Sequence, residues 1–296
     1  MSTTKDYSVS FIQGYRSAVE LLAQQKGSKL AGTTDEEDVK GEAEFIDQVG
    51  IVDAEEIDSK YGDTPRMDPE LDRRQLTTVG WDVASLITKK QIINTLDDPT
   101  NKYVIAQAYS LGRAQDQVRI DAMLGTAYTG KKGENAIVLP SSQKILHAST
   151  GLTLAKLLNV VELMDDSDVP DEDRHIAVTA KQMTNLLNTT EVKSIDYNTV
   201  RALHDGKIDT FLRMKFHRID GKRKDKTKII PLLSAGIRRC VAWQKMGVLF
   251  GAGQNIMFDI TKRADKRYAT QAYGSMDVGA TRMQEPFVVE VQCQET

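Results

Sequence analysis

The sequence predicts an α+β fold, and three observations carry that expectation. A helix-period stripe runs from Asp98 to Gly125, strand and helix patterns alternate through the middle of the chain, and Asn255 to Gln294 reads as strands alone. The long stripe organises the rest. Asp98 suits an N-cap, Pro99 the first helical position and Gly125 the left-handed position past the last turn. Val104, Ala108, Leu111, Val118 and Ala122 recur in fours and threes, with Gln115 the polar member of the row, which predicts one buried face. Arg113, Asp116 and Arg119 fall elsewhere on the helix, spaced for i,i+3 ion pairs, and predict a solvated or interfacial face. At 1.5 Å per residue the helix would be about 40 Å long, so other elements must lie across it.

Composition narrows the classes. The 296 residues are 40% hydrophobic, ample for a real core, and the formal net charge of -3 argues against a dedicated nucleic-acid binder. The start MSTTKDYSVS has no basic region followed by an apolar run, and no stretch approaches a membrane span. Cys240 and Cys293 stand far apart, so neither a disulfide framework nor a zinc site is expected and folding in a reducing cytosol is the natural reading.

The elements follow in order. Ser8 to Gln25 has a helical rhythm in Phe11, Tyr15, Ala18, Val19 and Leu22, then runs into Gly27, Gly32 and the acidic group Asp35 to Asp38. This reads as an amphipathic helix on a solvated tether, packed either on its own subunit or on another surface. Phe45 to Ile51 and Arg73 to Val79 read as strands flanking the turn-rich Tyr61 to Pro69, a two-stranded excursion with little apolar mass. A surface loop is the other reading; a long two-stranded arm needs neighbouring molecules for stability. TAYTGKKGENAIVLP contains a turn and a short strand, Ala136 to Leu139; Lys131, Lys132 and Gly133 lack the glycine spacing and terminal Lys-Ser/Thr of a phosphate loop.

Thr153 caps a helix with Leu154, Leu157, Leu158, Val161 and Met164 on its buried side. The acidic loop Asp165 to Asp173 lacks the glycine and closing glutamate of a calcium loop, and is read as solvated. His175 to Thr179 is a strand, followed by a helix with Met183, Leu186 and Leu187, a short helix from Asp196 to Leu203, and a strand from Lys207 to Arg218. Gly221 to Lys228 is a basic tip, most simply a solvated hairpin turn. Ile237 to Val241 reads as a strand, Trp243 to Phe250 as a short helix closed by Gly251 and Gly253, and Met257 to Thr261, Tyr268 to Met276 and Phe287 to Cys293 as strands.

Catalytic chemistry is missing from this pattern. His147, His175, His204 and His217 show no metal spacing, and His204 with Asp205 reads as a turn before Gly206. No nucleophile elbow or dinucleotide fingerprint occurs, and the expectation is no catalytic residue, no metal and no cofactor.

Three stretches then carry a resemblance. Leu96 to Gly130, Gly206 to Phe216 (GKIDTFLRMKF, with Arg213 where a glycine is expected) and Asp259 to Glu290, with its Lys-x-Tyr-Ala-Thr-Gln and Gly-Ala-Thr-Arg elements, are similar to segments of one podophage and siphophage capsid branch. Taken with the order of elements, nearly the whole chain resembles a tailed-bacteriophage major capsid protein of the HK-ninety-seven-like fold. The resemblance implies an N-terminal arm (1–44), an extended β-hairpin loop (45–90), a peripheral domain made of the spine helix region (91–145) and the C-terminal strands (255–296), and an α/β axial domain (146–254). It implies hexamers and pentamers in an icosahedral virion shell holding double-stranded DNA by weak non-specific contact, assembled in the host bacterial cytoplasm without a membrane. Implied partners are other copies, a portal at one vertex and possible decoration proteins. Because the arm is short, a separate scaffolding protein is expected, and because nothing near Lys60 activates it, no covalent cross-links are expected. Contacts between subunits are expected at Phe11, Tyr15, Tyr61, Arg66, Arg73, Arg74, Arg113, Asp116, Arg119, Lys222, Arg223 and Lys224. The nearest rival is an encapsulin-type compartment holding enzyme cargo; a cytosolic hydrolase or a nucleic-acid-binding protein using the basic tip is more distant.

Overall fold

The computed structural model describes residues 24–41, 43–54, 56, 68–88, 100–188 and 210–295. The expected helices Ser8 to Gln25 (but for its last two residues) and Asp196 to Leu203, most of the turn Tyr61 to Pro69, the cap residues Asp98 and Pro99, Lys60, and His204 with Asp205 lie outside the described residues. In chain order the elements are β1 (Asp35–Asp38), β2 (Ala43–Val49), β3 (Leu71–Thr77), β4 (Val79–Ile87), α1 (Thr100–Leu124), β5 (Ala127–Thr129), β6 (Asn135–Ile137), β7 (Lys144–Ile145), α2 (Leu154–Asp165), β8 (Arg174–Val178), α3 (Ala180–Asn188), β9 (Thr210–Phe211), β10 (Met214–Arg218), β11 (Leu232–Leu233), β12 (Ile237–Gln244), β13 (Val248–Arg263), β14 (Ala269–Arg282) and β15 (Val288–Gln294).

They form three sheets. A seven-stranded sheet runs β7-β15-β12-β8-β10-β9, with β11 paired to β12; a four-stranded sheet runs β1-β13-β14-β4; a second runs β2-β3-β5-β6. The seven-stranded sheet has both faces covered, which is why its central strands are apolar at successive positions. Ile176, Val178, Cys240, Ala242, Val289, Val291 and Cys293 pack under Leu157, Val160, Met164 and Leu186 of α2 and α3. Ala177, Val241, Trp243 and Val288 pack on the opposite side with Leu30, Ile219, Ile229, Ile230 and the α1 residues Ile120, Met123 and Leu124. Thr153 caps α2 through its hydroxyl, as expected, but Leu158 is exposed and Lys156 is buried in its place on that helix. The Lys156 ammonium donates to four carbonyls, those of His147, Thr150, Gly151 and Gln292, at 2.9–3.0 Å, which satisfies a cation the helix pattern would place in water.

Several expectations are corrected. The acidic run Asp35 to Asp38 is strand β1, parallel to Leu249–Ala252, with its side chains exposed. Trp243 to Phe250 is not a helix: only Lys245–Gly247 makes a 3-10 turn, between β12 and the 16-residue β13. Of the strand expected over Lys207 to Arg218, the described part, from Thr210, is a tight hairpin, β9 and β10, whose turn holds Leu212 and Arg213 at φ of 51° and 61°. Arg213 therefore occupies a left-handed position that favours glycine. α1 buries two sides, one with Leu111, Ala114 and Val118 against β13 and β14, the other with Ile120, Met123 and Leu124.

Candidate assembly site

The residues before β1 are bound to the long helix α1 by side chains that the sequence pattern places in solvent. Asp116 is 0% exposed. Its carboxylate accepts from Ser28 Oγ at 2.6 Å, Lys29 N at 3.0 Å, Leu30 N at 3.1 Å, and the Gln25 amide. Gly112 permits this approach, because a Cβ there would lie 2.5 Å from the carbonyl carbon of Gly27. One turn on, Arg119 Nε donates to Thr34 Oγ1 at 3.1 Å and Nη2 to Glu36 at 2.8 Å, while the guanidinium stacks 3.6 Å from the Phe250 ring centroid. Burial pulls the Arg119 pKa down, and Glu36 and Asp116 pull it back up. Arg113 Nη1 donates to Gln24 Oε1 at 2.9 Å. The expected solvated face is corrected for Asp116 and Arg119: their partners lie more than eighty residues away in the same chain.

A second anchor holds the base of the β2–β3 hairpin. β3 and β4 are one run of chain that changes sheets at Thr78, crossing so close to β14 that a Cβ on Gly279 would lie 2.1 Å from the Thr77 carbonyl oxygen. Arg74 Nη2 meets Glu285 Oε2 at 2.8 Å, and Arg282 Nε lies 3.6 Å from the other oxygen of the same carboxylate. Arg282 also donates to the carbonyls of Met123, Gly125 and Ile137 at 2.9–3.0 Å. A buried cation thus ends α1. This corrects the reading of Gly125, which is not left-handed: Arg282 takes up carbonyls that a glycine cap would otherwise satisfy. Beyond this base the loop carries exposed apolar side chains; Ile51 is 96% and Leu71 77% exposed, with Val49 and Val52 also in solvent.

The basic tip is less free than expected. Arg223 pairs with Asp121 of α1 and donates to the carbonyl of Ile229, whereas Lys222 and Lys224 are exposed. Arg73 is partly exposed and pairs with Asp47 across β2 and β3. The arrangement also brings together a pair missed in sequence: His175 Nδ1 lies 3.0 Å from His217 Nε2, and the His175 ring stacks on Trp243. Burial, then the neighbouring His217, lowers the His175 pKa from 6.5 to about 4, and burial lowers that of His217. Their parallel pairing in β8 and β10 was the signal, since His175 and His217 stand two strand positions apart in register. Among the described residues no group of three or more His, Cys, Asp or Glu could hold a metal ion, and no helix is long and apolar enough to cross a membrane.

The family model described as phage capsid protein matches residues 8–295. The chain belongs to the phage capsid protein family. No curated protein matches it, but solved structures do. A capsid of Helicobacter pylori bacteriophage KHP30 superposes with a TM-score of 0.74 at 8% identity, covering 98% of this chain and 97% of that one. The capsid of cyanophage P-SCSP1u gives a TM-score of 0.70 at 15% identity, over 97% and 94% of the two chains. Mycobacterium phage Che8 gives 0.67 at 13% identity, over 95% and 97%. This capsid protein therefore has the tailed-phage capsid fold, and it is a structural component of a virion shell. Of the contact residues expected from sequence, Phe11, Tyr15, Tyr61 and Arg66 lie outside the described residues. Arg74, Arg113, Asp116, Arg119 and Arg223 are bound to their own chain, and Arg73, Lys222 and Lys224 remain at the surface.

Proposed function

We propose that this capsid protein assembles as hexamers and pentamers into a closed icosahedral shell around double-stranded phage DNA. The observation that carries the reading is the β2–β3 loop, which projects Val49, Ile51, Val52 and Leu71 with no cover from the described residues of its own chain. Such surface is stabilised when a neighbouring copy buries it, and a lattice supplies that neighbour at every position. In this reading residues 1–44 are an arm, 45–90 an extended loop, 91–145 with 255–296 a peripheral domain, and 146–254 an axial domain. Arg73, Lys222 and Lys224 reach other copies, together with Phe11, Tyr15, Tyr61 and Arg66. The net charge of -3 suits a container that does not grip phosphate tightly. A separate scaffolding protein, a portal at one vertex and optional decoration proteins complete the particle, which forms in the host cytoplasm without covalent cross-links or enzymatic activity of its own.

Electron cryo-microscopy of particles from infected or co-expressing cells tests this. A thin-walled lattice of hexamers and pentamers with DNA inside is the expected result. Shells holding protein cargo and no DNA would move the reading to an encapsulin-type compartment, and subunits that stay monomeric with the candidate scaffold present would overturn it. Ladders above monomer mass on boiled denaturing gels would overturn the absence of cross-links.

A further inference from the structure

The sheet β1-β13-β14-β4 has an edge that is covered for only part of its length. β1 pairs with β13 at residues 249–252, and the Val39 amide adds one bond to the Ala252 carbonyl. From Gly253 to the end of β13 at Arg263, no described strand pairs with that side. Sheets commonly blunt such an edge with bulges and charges. Here the register shifts fall between Ala252 and Met257, so residues 257–263 run in unbroken register with 269–275 of β14. Alternate residues of that stretch turn their backbone N–H and C=O groups outward.

The side chains along the stretch are apolar in the middle and charged at the end. Met257 is 60% and Ile260 52% exposed, and Phe258 is exposed as well. The Phe258 ring lies against Gly274 on the face that carries Leu111 of α1, and Ile260 is two positions further along the same face. The strand ends at a turn where Lys262, Lys266 and Arg267 are exposed. The covered part of the same edge carries the exposed carboxylates of β1, with Asp38 at the end nearer the free part.

An edge of this kind is complementary to itself turned end for end. Two antiparallel copies of residues 257–263 centred on Ile260 set Ile260 against Ile260 and Phe258 against Lys262, which closes two Phe258 and two Ile260 side chains into one strip. The same alignment carries the cationic turn of each copy past Met257 of the other, towards Asp38, and keeps the two turns apart. Seven residues a side bury far less than the ~800 Å² per partner of a stable complex, so the pairing needs other contacts to hold it.

We propose that, in the shell assembly on which this inference rests, the free edge of β13 pairs antiparallel with the same edge of a second copy across a twofold axis. Neighbours within a hexamer or pentamer meet head to tail, so an isologous contact of this kind joins one ring to the next.

Ile260→Cys in the full-length chain tests it, because a residue meets its own counterpart only about a twofold axis. Shells made with the candidate scaffold, oxidised with copper phenanthroline and run on non-reducing gels should give a band at twice the monomer mass. Asp259→Cys with Thr261→Cys, which leaves the apolar strip intact, should give the same band. Cys240 and Cys293 are buried and do not compete, and Met246→Cys, exposed in the turn before β13, should stay at monomer mass. Shells in which the β13 variants stay at monomer mass, or link no better than Met246→Cys, overturn the contact and leave the assembly reading standing. A wild-type chain that forms no shells overturns both.

Discussion

The seven-stranded sheet and the β2–β3 loop are built on opposite balances. Ile176, Ala177, Val178, Cys240, Val241 and Ala242 are all fully buried, so two adjacent strands of the sheet contribute apolar side chains to both faces. In the loop the buried apolar residue is Leu76, at the base, where it packs with Val39 and Leu249, while Leu71 and Val49 further out are in solvent. The base is held by polar anchors, Arg74 and Arg282 sharing Glu285, and Gln48 donating to the carbonyl of Met283. A layer of the first kind is complete within one subunit. The second kind has fixed direction and an unfinished surface, which suits an element whose remaining burial comes from another copy.

The comparison is most easily broken in the sheet. Leu157→Ala removes a side chain from the α2–sheet core and should cost about 3–4 kcal/mol in urea unfolding of the unassembled subunit, whereas Leu71→Ala should change it by less than about 0.5 kcal/mol. Similar losses at the two positions would mean that the loop is part of the subunit core. Asp116→Ala follows in size. It leaves the buried Leu30 amide and the part-buried Lys29 amide without an acceptor and should cost about 3 kcal/mol, with new proteolytic cleavage between residues 24 and 36. Unchanged proteolysis would show that the segment is held by Leu30 and Arg119 alone.

How far these anchors were legible depends on the distance over which each is made. The long helix, the Thr153 cap and the strand Phe287 to Cys293 are local patterns, and each lies within two residues of where the sequence puts it, although the helix buries two sides where its stripe predicted one. The position of Arg213 was legible through a departure from expectation: a glycine was missing from a turn that does adopt positive φ. Trp243 to Phe250 was misread because a strand buried on both faces, as at Val248, Leu249 and Phe250, shows a continuous apolar run without the alternation that separates strand from helix. Asp116 and Arg119 looked solvated because their partners, Leu30 and Glu36, are distant in sequence, and charge at i,i+3 on a helix is ordinarily exposed. Neither the His175–His217 pair nor the Arg74–Glu285–Arg282 group is visible without strand register and tertiary packing.

Acidification sharpens the contrast between the regions from the sheet side. His175 titrates at about 4 when folded and near 6.5 when unfolded, because burial and His217 disfavour its charged form, with Lys215 and Lys245 acting in the same sense and Asp173 against them. Between those values the unfolded chain binds the proton and the folded chain does not. Stability from this site is therefore full above about pH 6.5 and falls as pH drops towards 4. Moving from pH 7 to pH 5 should cost about 2 kcal/mol. His175→Gln should flatten that slope, measured as the difference between wild-type and variant urea midpoints; parallel slopes would place the pH dependence elsewhere. At the loop base, Glu285→Gln leaves two arginines without their shared counter-charge and should cost about 1–2 kcal/mol. Hydrogen exchange should rise at β2 and β3 and stay unchanged at β12 and β15, and a uniform rise would deny the base its local role.

The smallest effect on the subunit should be the most informative about assembly. Leu71 is at the outer end of β3, paired with Val49, and 77% of it is in solvent. Leu71→Asp therefore removes little buried area from the isolated chain and should leave its urea midpoint within about 0.5 kcal/mol of wild type. If a neighbour covers this end of the loop, the same carboxylate must be desolvated in every subunit contact, at several kcal/mol each, roughly. Repeated over a closed lattice, that cost should abolish shells, scored by sedimentation and negative-stain microscopy with the candidate scaffold present. Normal shells from Leu71→Asp would show that the exposed end of β3 stays in solvent after assembly, and the unfinished surface would then lie nearer Ile51 and Val52.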